Sequence, residues 1–266
     1  DLPRRKSIFP RLLKPYRRQA DIVHTVPEYG DIFLGTAKKS VLTFHNFFWD
    51  EAYRPYCSLA QRLFYRFLQA GYVRRAVESA DAIVAVSEYT AGLVRASYPG
   101  VNVQVILNGV DTKLFFPKEK GTRTQVNILF SGNPTRRKGR HVLKSVADSL
   151  PEHAKLLVTS GLRKGDADLA HPKIKFIGHV PYKNMPDLYR EADILLLPSY
   201  REGLSLSALE AMASGLPVVA YDSSSMSELV EHGGGGLLSL QGDPKKLIDN
   251  LILLVSQPSI IREQGR

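Results

Sequence analysis

Short apolar runs rich in β-branched residues alternate along the chain with longer stretches of helical period, and this alternation restricts the fold more than any other feature. The runs are Asp21 to His24, Val41 to Phe44, Ala82 to Val86, Val103 to Ile106, Val126 to Phe130, Leu156 to Val158, Ile174 to Ile177, Ile194 to Leu197 and Val218 to Ala220. The clearest helix between them spans Leu59 to Ser79, where Leu59, Leu63, Phe67 and Phe64, Leu68 recur three and four residues apart and the pattern continues to Val73 and Val77. Strands apolar on both faces and joined by helical crossovers form parallel sheets covered on both sides. The expected class is therefore α/β.

A chain of 266 residues is long for one such unit and comfortable for two. The alternation breaks at Asn108-Gly109-Val110-Asp111, followed by Phe116-Pro117 and the polar run Lys118 to Gln125, and a fresh strand starts at Val126. Domains over 1–109 and 110–266 are expected. No fixed-period repeat and no low-complexity tract is visible, which excludes solenoids and disordered linkers.

The single cysteine, Cys57, permits neither an internal disulfide nor a thiolate zinc site, so a cytoplasmic setting is expected. The late apolar stretch Leu247 to Val255 is interrupted by Asp249 and Asn250, far short of the roughly 18 apolar residues of a membrane span. The start, Asp1-Leu2-Pro3-Arg4, leads into charge rather than the apolar core of a signal peptide. The net charge of +10 is concentrated there: Arg4, Arg5, Lys6, Arg11, Lys14, Arg17 and Arg18 sit among Ile8, Phe9, Leu12, Leu13 and Tyr16. Residues 1–18 have the composition of a basic amphipathic segment suited to an anionic membrane surface, although solvated charge on a helix packed against the domain is the commoner outcome. No aromatic platform or helix-turn-helix pattern accompanies the charge, so nucleic acid is not an expected partner.

The residues with chemical content lie mainly in the second half. Leu195 to Ala220 reads strand, loop, helix, strand, with Gly203 and Ser205 where the helix begins. Amides of Leu204, Ser205 and Leu206 at such a start, aided by the helix dipole, suit an anion such as a diphosphate. Glu202 precedes this helix and Glu210 lies about two turns into it. Carboxylates accept pairs of hydrogen bonds from vicinal hydroxyls, so this pair suits a sugar on one side of the phosphates and a ribose on the other. A second phosphate element follows the strand Val126 to Phe130, where Ser131-Gly132-Asn133-Pro134-Thr135-Arg136-Arg137-Lys138-Gly139 places a glycine turn and three cations ahead of a helix. In the first half, Ser40 to Asn46 puts His45 at the end of a buried strand. Ser87 reads as a helix N-cap. The run Gly233 to Gly236 follows a helix and precedes Leu237-Leu238, which favours a flexible turn. His24, His141, His171 and His179 have no partners at metal-ligand spacing, so no metal site is expected.

Glu202 to Pro217, EGLSLSALEAMASGLP, resembles the sugar-nucleotide motif of the retaining GT-B glycosyltransferases, glycosyltransferase family 4, also termed glycosyl transferases group 1. The resemblance implies two Rossmann-like domains with parallel sheets facing a cleft, the first presenting the acceptor and the second binding the donor. It implies that Glu202 contacts the donor sugar, Glu210 the nucleotide ribose, and His45 the donor sugar across the cleft. The family's phosphate turn carries an Arg just after the Gly and a Lys five residues later. Lys138 matches the Lys, whereas Asn133 stands at the Arg position, leaving Arg136 and Arg137 as alternative sources of that cation. Ala80 to Glu88 and Val105 to Asp111 look like the late strands of the first domain and the interdomain crossing. Ile177 to Tyr182 resembles the loop that holds the base. The family opens with a strand and Gly-rich loop ahead of the region matched by Asp21 to His24, and closes with a helix returning to the first domain. Neither is evident in this sequence, so a truncated first domain and an incomplete enzyme are expectations.

By this resemblance the chain is a hexosyltransferase-type enzyme that moves a sugar from a nucleoside diphosphate sugar to a glycan or lipid acceptor with retention, without metal or other cofactor. Catalytic roles fall to His45, Lys138 and Glu202. Donor binding falls to Gly132, Asn133, Arg137, Lys138, Glu202, Gly203, Leu204, Ser205 and Glu210. The rival readings are a GT-B-fold sugar-nucleotide epimerase and a basic membrane-surface module. The expected location is cytoplasmic, with peripheral attachment to the inner face of the membrane as the role residues 1–18 could take.

Overall fold

The computed structural model describes residues 20–34, 37–48, 51–118, 124–160, 169–233 and 235–257. The basic segment expected at residues 1–18 lies outside them. The chain divides into two compact units, Asp1–Leu107 and Asn108–Arg266.

In the first unit the described residues form a four-stranded parallel sheet. Its elements are β1 (Ala20–Thr25), α1 (Pro27–Phe33), β2 (Ala37–Phe44), α2 (Leu59–Leu63), α3 (Ala70–Ser79), β3 (Ala82–Ala85), α4 (Glu88–Ser97) and β4 (Val103–Val105), and the strands pair in chain order. Leu42 and Phe44 of β2 are fully buried and pack with Val73, Ala76, Ile83, Ala85 and Val94. The Asp81 carboxylate fastens the start of β3 to β2, accepting from the Ser40 amide at 2.8 Å, the Ser40 hydroxyl at 2.8 Å and Lys39 Nζ at 2.9 Å. These bonds, that of Lys39 foremost, hold its pKa below the usual value. Ser87 caps α4, its Oγ accepting from the Thr90 amide at 3.1 Å.

The helix expected over Leu59 to Ser79 is present but is not uniform. A π-helical segment, Phe64–Gln69, joins α2 to α3. Its wider turn changes the phase of the side chains that follow. Val73 and Val77 are consequently buried, whereas Leu59, Leu63 and Phe67, assigned by their spacing to the same apolar face, are exposed.

The second unit is built from β5 (Val126–Phe130), α5 (Leu143–Ser149), β6 (Ala154–Thr159), β7 (Ile174–Gly178), α6 (Met185–Glu191), β8 (Ile194–Leu197), α7 (Leu206–Ala213), β9 (Val218–Asp222), α8 (Met226–Gly233), β10 (Gly236–Leu240) and α9 (Pro244–Ser256). All pairings are parallel and the strand order is β10-β9-β8-β5-β6-β7. This is the doubly wound order in which the first strand of the unit neighbours both its second and its fourth. Leu195, Leu196 and Leu197 of the central β8 are fully buried, as a strand covered on both faces requires. From the last helix Leu247, Leu251 and Leu254 complete the core.

The glycine run expected to be a flexible turn is corrected at its end. Gly236 opens β10 and pairs with Val218, and a methyl at its Cα would stand 2.4 Å from the Val218 carbonyl oxygen. The glycine there allows two strands to approach, rather than a chain to wander.

Candidate functional site

The strand order of the second unit reverses between β5 and β8, and in open α/β sheets ligands bind beyond the carboxyl ends of the strands flanking such a point. The loops that leave those two strands are Ser131 to Gly139 and Pro198 to Ser205. They are fastened together. Gly139 has φ +78°, and a side chain there would lie 2.2 Å from the Pro198 carbonyl oxygen. The Tyr200 amide donates to the Arg137 carbonyl at 2.9 Å, and Arg137 Nη1 donates to the Arg201 carbonyl. At the head of the first loop the Gly132 amide donates to Thr159 Oγ1 at 2.7 Å, and Lys138 Nζ would stand 2.8 Å from a Cβ at Gly132. The lysine therefore lies folded over the glycine turn.

Three charged side chains converge between these loops. Glu202 Oε1 is 3.4 Å from Arg137 Nη1 and 3.8 Å from Lys138 Nζ, with the side chains of Arg137, Lys138 and Glu202 only 22%, 20% and 14% exposed. Glu202 Oε1 is buried and ion-paired with both cations yet makes no hydrogen bond. The main chain of Glu202 is held by its own amide, which donates to Ser224 Oγ at 3.0 Å, and Ser224 occupies the left-handed region at φ +53°. Two cations against one carboxylate leave an excess positive charge in a partly desolvated place, which favours an anion. Asn133, at the position where the resemblance implies a cation, contributes its carbonyl to the turn, accepting from the Thr135 amide at 2.9 Å. Of the two arginines, Arg137 is the one beside Glu202; Arg136 is exposed.

Beside this cluster Ser205 caps α7, its Oγ accepting from the Ala208 amide at 3.3 Å, and Gly203, Leu204 and Ser205 are buried. Glu210, farther along α7, accepts from the Tyr189 hydroxyl at 2.9 Å, and that hydroxyl lies 3.3 Å from Ser131 Oγ. Burial raises the Glu210 pKa, and the Tyr189 hydrogen bond opposes that rise. Burial and the neighbouring Glu210 charge push the Tyr189 hydroxyl far above its ordinary range, so it stays a donor. Ser131 and Gly132 are consecutive, so the Glu210–Tyr189 pair and the Arg137–Lys138–Glu202 cluster meet at the carboxyl end of β5. Sequence reasoning missed Tyr189, because a tyrosine in a half-apolar helix carries no signal beyond burial. The base-loop candidate places Gly178 at φ +83° as the last residue of β7, with Tyr182 edge-on to Phe115 at 5.9 Å.

His45 belongs to the first unit, directly after β2. It is exposed, yet the groups packed around the ring partly desolvate it and, with the charge of His24, lower its pKa. His24 Nε2 is itself 2.6 Å from Thr43 Oγ1. Among the described residues no group of three His, Cys, Asp or Glu side chains could hold a metal ion, and no helix is long and apolar enough to cross a membrane.

A doubly wound sheet with two cations and a loop carboxylate, Glu202, at its switch point, and a second carboxylate, Glu210, on α7, places its charged groups where open α/β sheets bind ligands. Comparison narrows the class. Residues 125–257 match the family described as glycosyl transferases group 1, and residues 1–114 match glycosyltransferase family 4. The chain belongs to this glycosyltransferase family.

The lipopolysaccharide core biosynthesis mannosyltransferase LpsB of Rhizobium meliloti is 31% identical over 208 residues, covering 67% of this chain and 56% of that protein. The sucrose-phosphate synthase of Thermosynechococcus elongatus superposes with a TM-score of 0.78 at 20% identity, covering 100% of this chain and 74% of that one. Anabaena HepE in complex with UDP and glucose gives 0.75 at 19% identity, covering 96% and 73%. These likenesses establish a GT-B fold. The chain spans 56%, 66% and 44% of the first three curated relatives it matches.

Proposed function

We propose that the second unit binds the nucleoside diphosphate of a sugar donor and that the chain takes part in transferring that sugar, with retention, to a glycan or lipid acceptor. The observation that carries the reading is the convergence of Arg137 and Lys138 on Glu202 where the sheet order reverses. In this reading Lys138 and Arg137 bind the diphosphate and stabilise the negative charge that grows on it as the glycosidic bond breaks. The amides of Leu204 and Ser205, just ahead of α7, add to that anion site. Glu202, whose buried Oε1 makes no hydrogen bond within the protein, accepts from hydroxyls of the sugar. Glu210 accepts from the ribose. Arg137 supplies the cation that Asn133 does not. A protein of the same fold holding UDP and glucose supports a nucleotide-sugar ligand of this kind.

The test is calorimetric titration of the chain with UDP-, GDP- and ADP-sugars. One of the three is expected to bind, and K138A and E210A each to weaken it at least about tenfold, since each removes a charged hydrogen bond. Unchanged affinity in both variants would overturn the assignment.

A further inference from the structure

Tyr189 has no exposed surface, and its hydroxyl makes two contacts, the 2.9 Å bond to Glu210 Oε2 and the 3.3 Å approach to Ser131 Oγ. Among the described residues no other group donates to the Glu210 side chain. One carboxylate oxygen is thus occupied from within the protein, and Oε1 remains for a ligand. We propose that Tyr189 is a positioning residue, which fixes the Glu210 carboxylate by its Oε2 so that Oε1 accepts from the vicinal hydroxyls of a nucleotide ribose. This rests on the donor-binding reading given above.

The tyrosine is itself held in place. The Phe115 ring meets it edge-on with centroids 5.8 Å apart. The adjacent Arg190 donates to the Leu114 carbonyl at 3.3 Å and lies 4.8 Å over the Phe116 ring. The segment Leu114 to Phe116 therefore fastens the helix that carries Tyr189, and a rigid donor orients an acceptor better than a mobile one. The same bond bears on ionisation. Burial favours the neutral form of Glu210 and the Tyr189 hydroxyl favours the carboxylate. Without it the carboxyl protonates more readily and loses acceptor capacity toward a diol.

The test uses Y189F, which keeps the ring and deletes the hydroxyl. In the ligand-free chain, NMR titration of carboxyl-labelled glutamate is expected to show Glu210 titrating at higher pH in Y189F than in the parent. In calorimetry with UDP, GDP and ADP, Y189F is expected to weaken binding about tenfold, and more as the pH falls. In an E210Q background, Y189F is expected to add little further loss. An unchanged Glu210 titration, or an equal loss in both backgrounds, overturns the proposal and leaves Tyr189 a core side chain. If the parent binds none of the three nucleotides, the donor reading falls and the ribose assignment with it, while the titration still decides whether Tyr189 governs Glu210.

Discussion

Gly139 stands against Pro198 so closely that a methyl on its Cα would lie 2.2 Å from the proline carbonyl oxygen. The contact joins the loop after β5 to the end of β8, the two strands between which the sheet order reverses. With φ at +78°, neither the backbone nor the space admits a side chain. G139A is expected to destabilise the second unit by about 3 kcal/mol or more, measured by urea unfolding, and to abolish nucleotide binding in whatever fraction remains folded. An unfolding midpoint equal to the parent's would show that the loops are not locked by this approach.

Beside Asn133 the two candidate arginines differ in their surroundings. Arg137 Nη1 lies 3.4 Å from Glu202 Oε1, while Arg136 is exposed. R137A is expected to weaken nucleotide-sugar binding at least about tenfold, and R136A by less than about twofold, because an exposed charge is screened by water and salt. Calorimetry on the two variants checks this, and the reverse order of effects would make Arg136 the phosphate cation.

Much of this was legible in the sequence, for reasons that also explain what was not. The central strand β8 is a continuous apolar run because both its faces are covered, and such a run stands out from helices without any three-dimensional information. Glu202, Lys138 and Gly132 lie within two short loops of distinctive composition, so the loops could be found; that the loops touch, through Gly139 and Pro198, depends on a crossing between strands distant in the chain. Tyr189 is hidden for a related reason. Its hydroxyl becomes meaningful only when α6 is laid beside α7, and composition alone leaves it one more buried aromatic. The exposed Leu59, Leu63 and Phe67 show the converse, since a π turn shifts the phase of a helix without leaving a mark in apolar spacing.

Two histidines set a pH window for stability. His45 and His141 are both held below the ordinary value of 6.5, each by burial first, with the charges of His24 and Arg136 respectively adding to it. A lowered folded-state value means that the unfolded chain binds more protons as the pH falls below 6.5, so stability from these groups is full above 6.5 and declines beneath it. The raised pKa of Glu28 and Glu210 acts with the opposite sign, stability falling as the pH rises through their folded values. Comparing variants isolates the histidines: H45Q/H141Q is expected to show a smaller gain in urea midpoint than the parent between about pH 5 and pH 7. Parallel profiles would mean that neither histidine titrates abnormally.

Gly236 and Gly92 are expected to respond oppositely to the same change. At Gly236, the first residue of β10, an added methyl would lie 2.4 Å from the Val218 carbonyl oxygen, which is backbone of the neighbouring strand and cannot swing aside. G236A must therefore push the edge strand away from β9 and is expected to destabilise the second unit by about 1–3 kcal/mol. Gly92 is exposed in the middle of α4, with nothing within 4 Å of a would-be Cβ. There alanine loses less chain entropy on folding than glycine, and G92A is expected to stabilise the first unit by about 0.5–1 kcal/mol. Urea unfolding of the two variants, followed by hydrogen exchange to assign each shift to its unit, decides the matter. A destabilised G92A would place an unseen neighbour against α4, and a neutral G236A would show that β10 is not closely paired at its start.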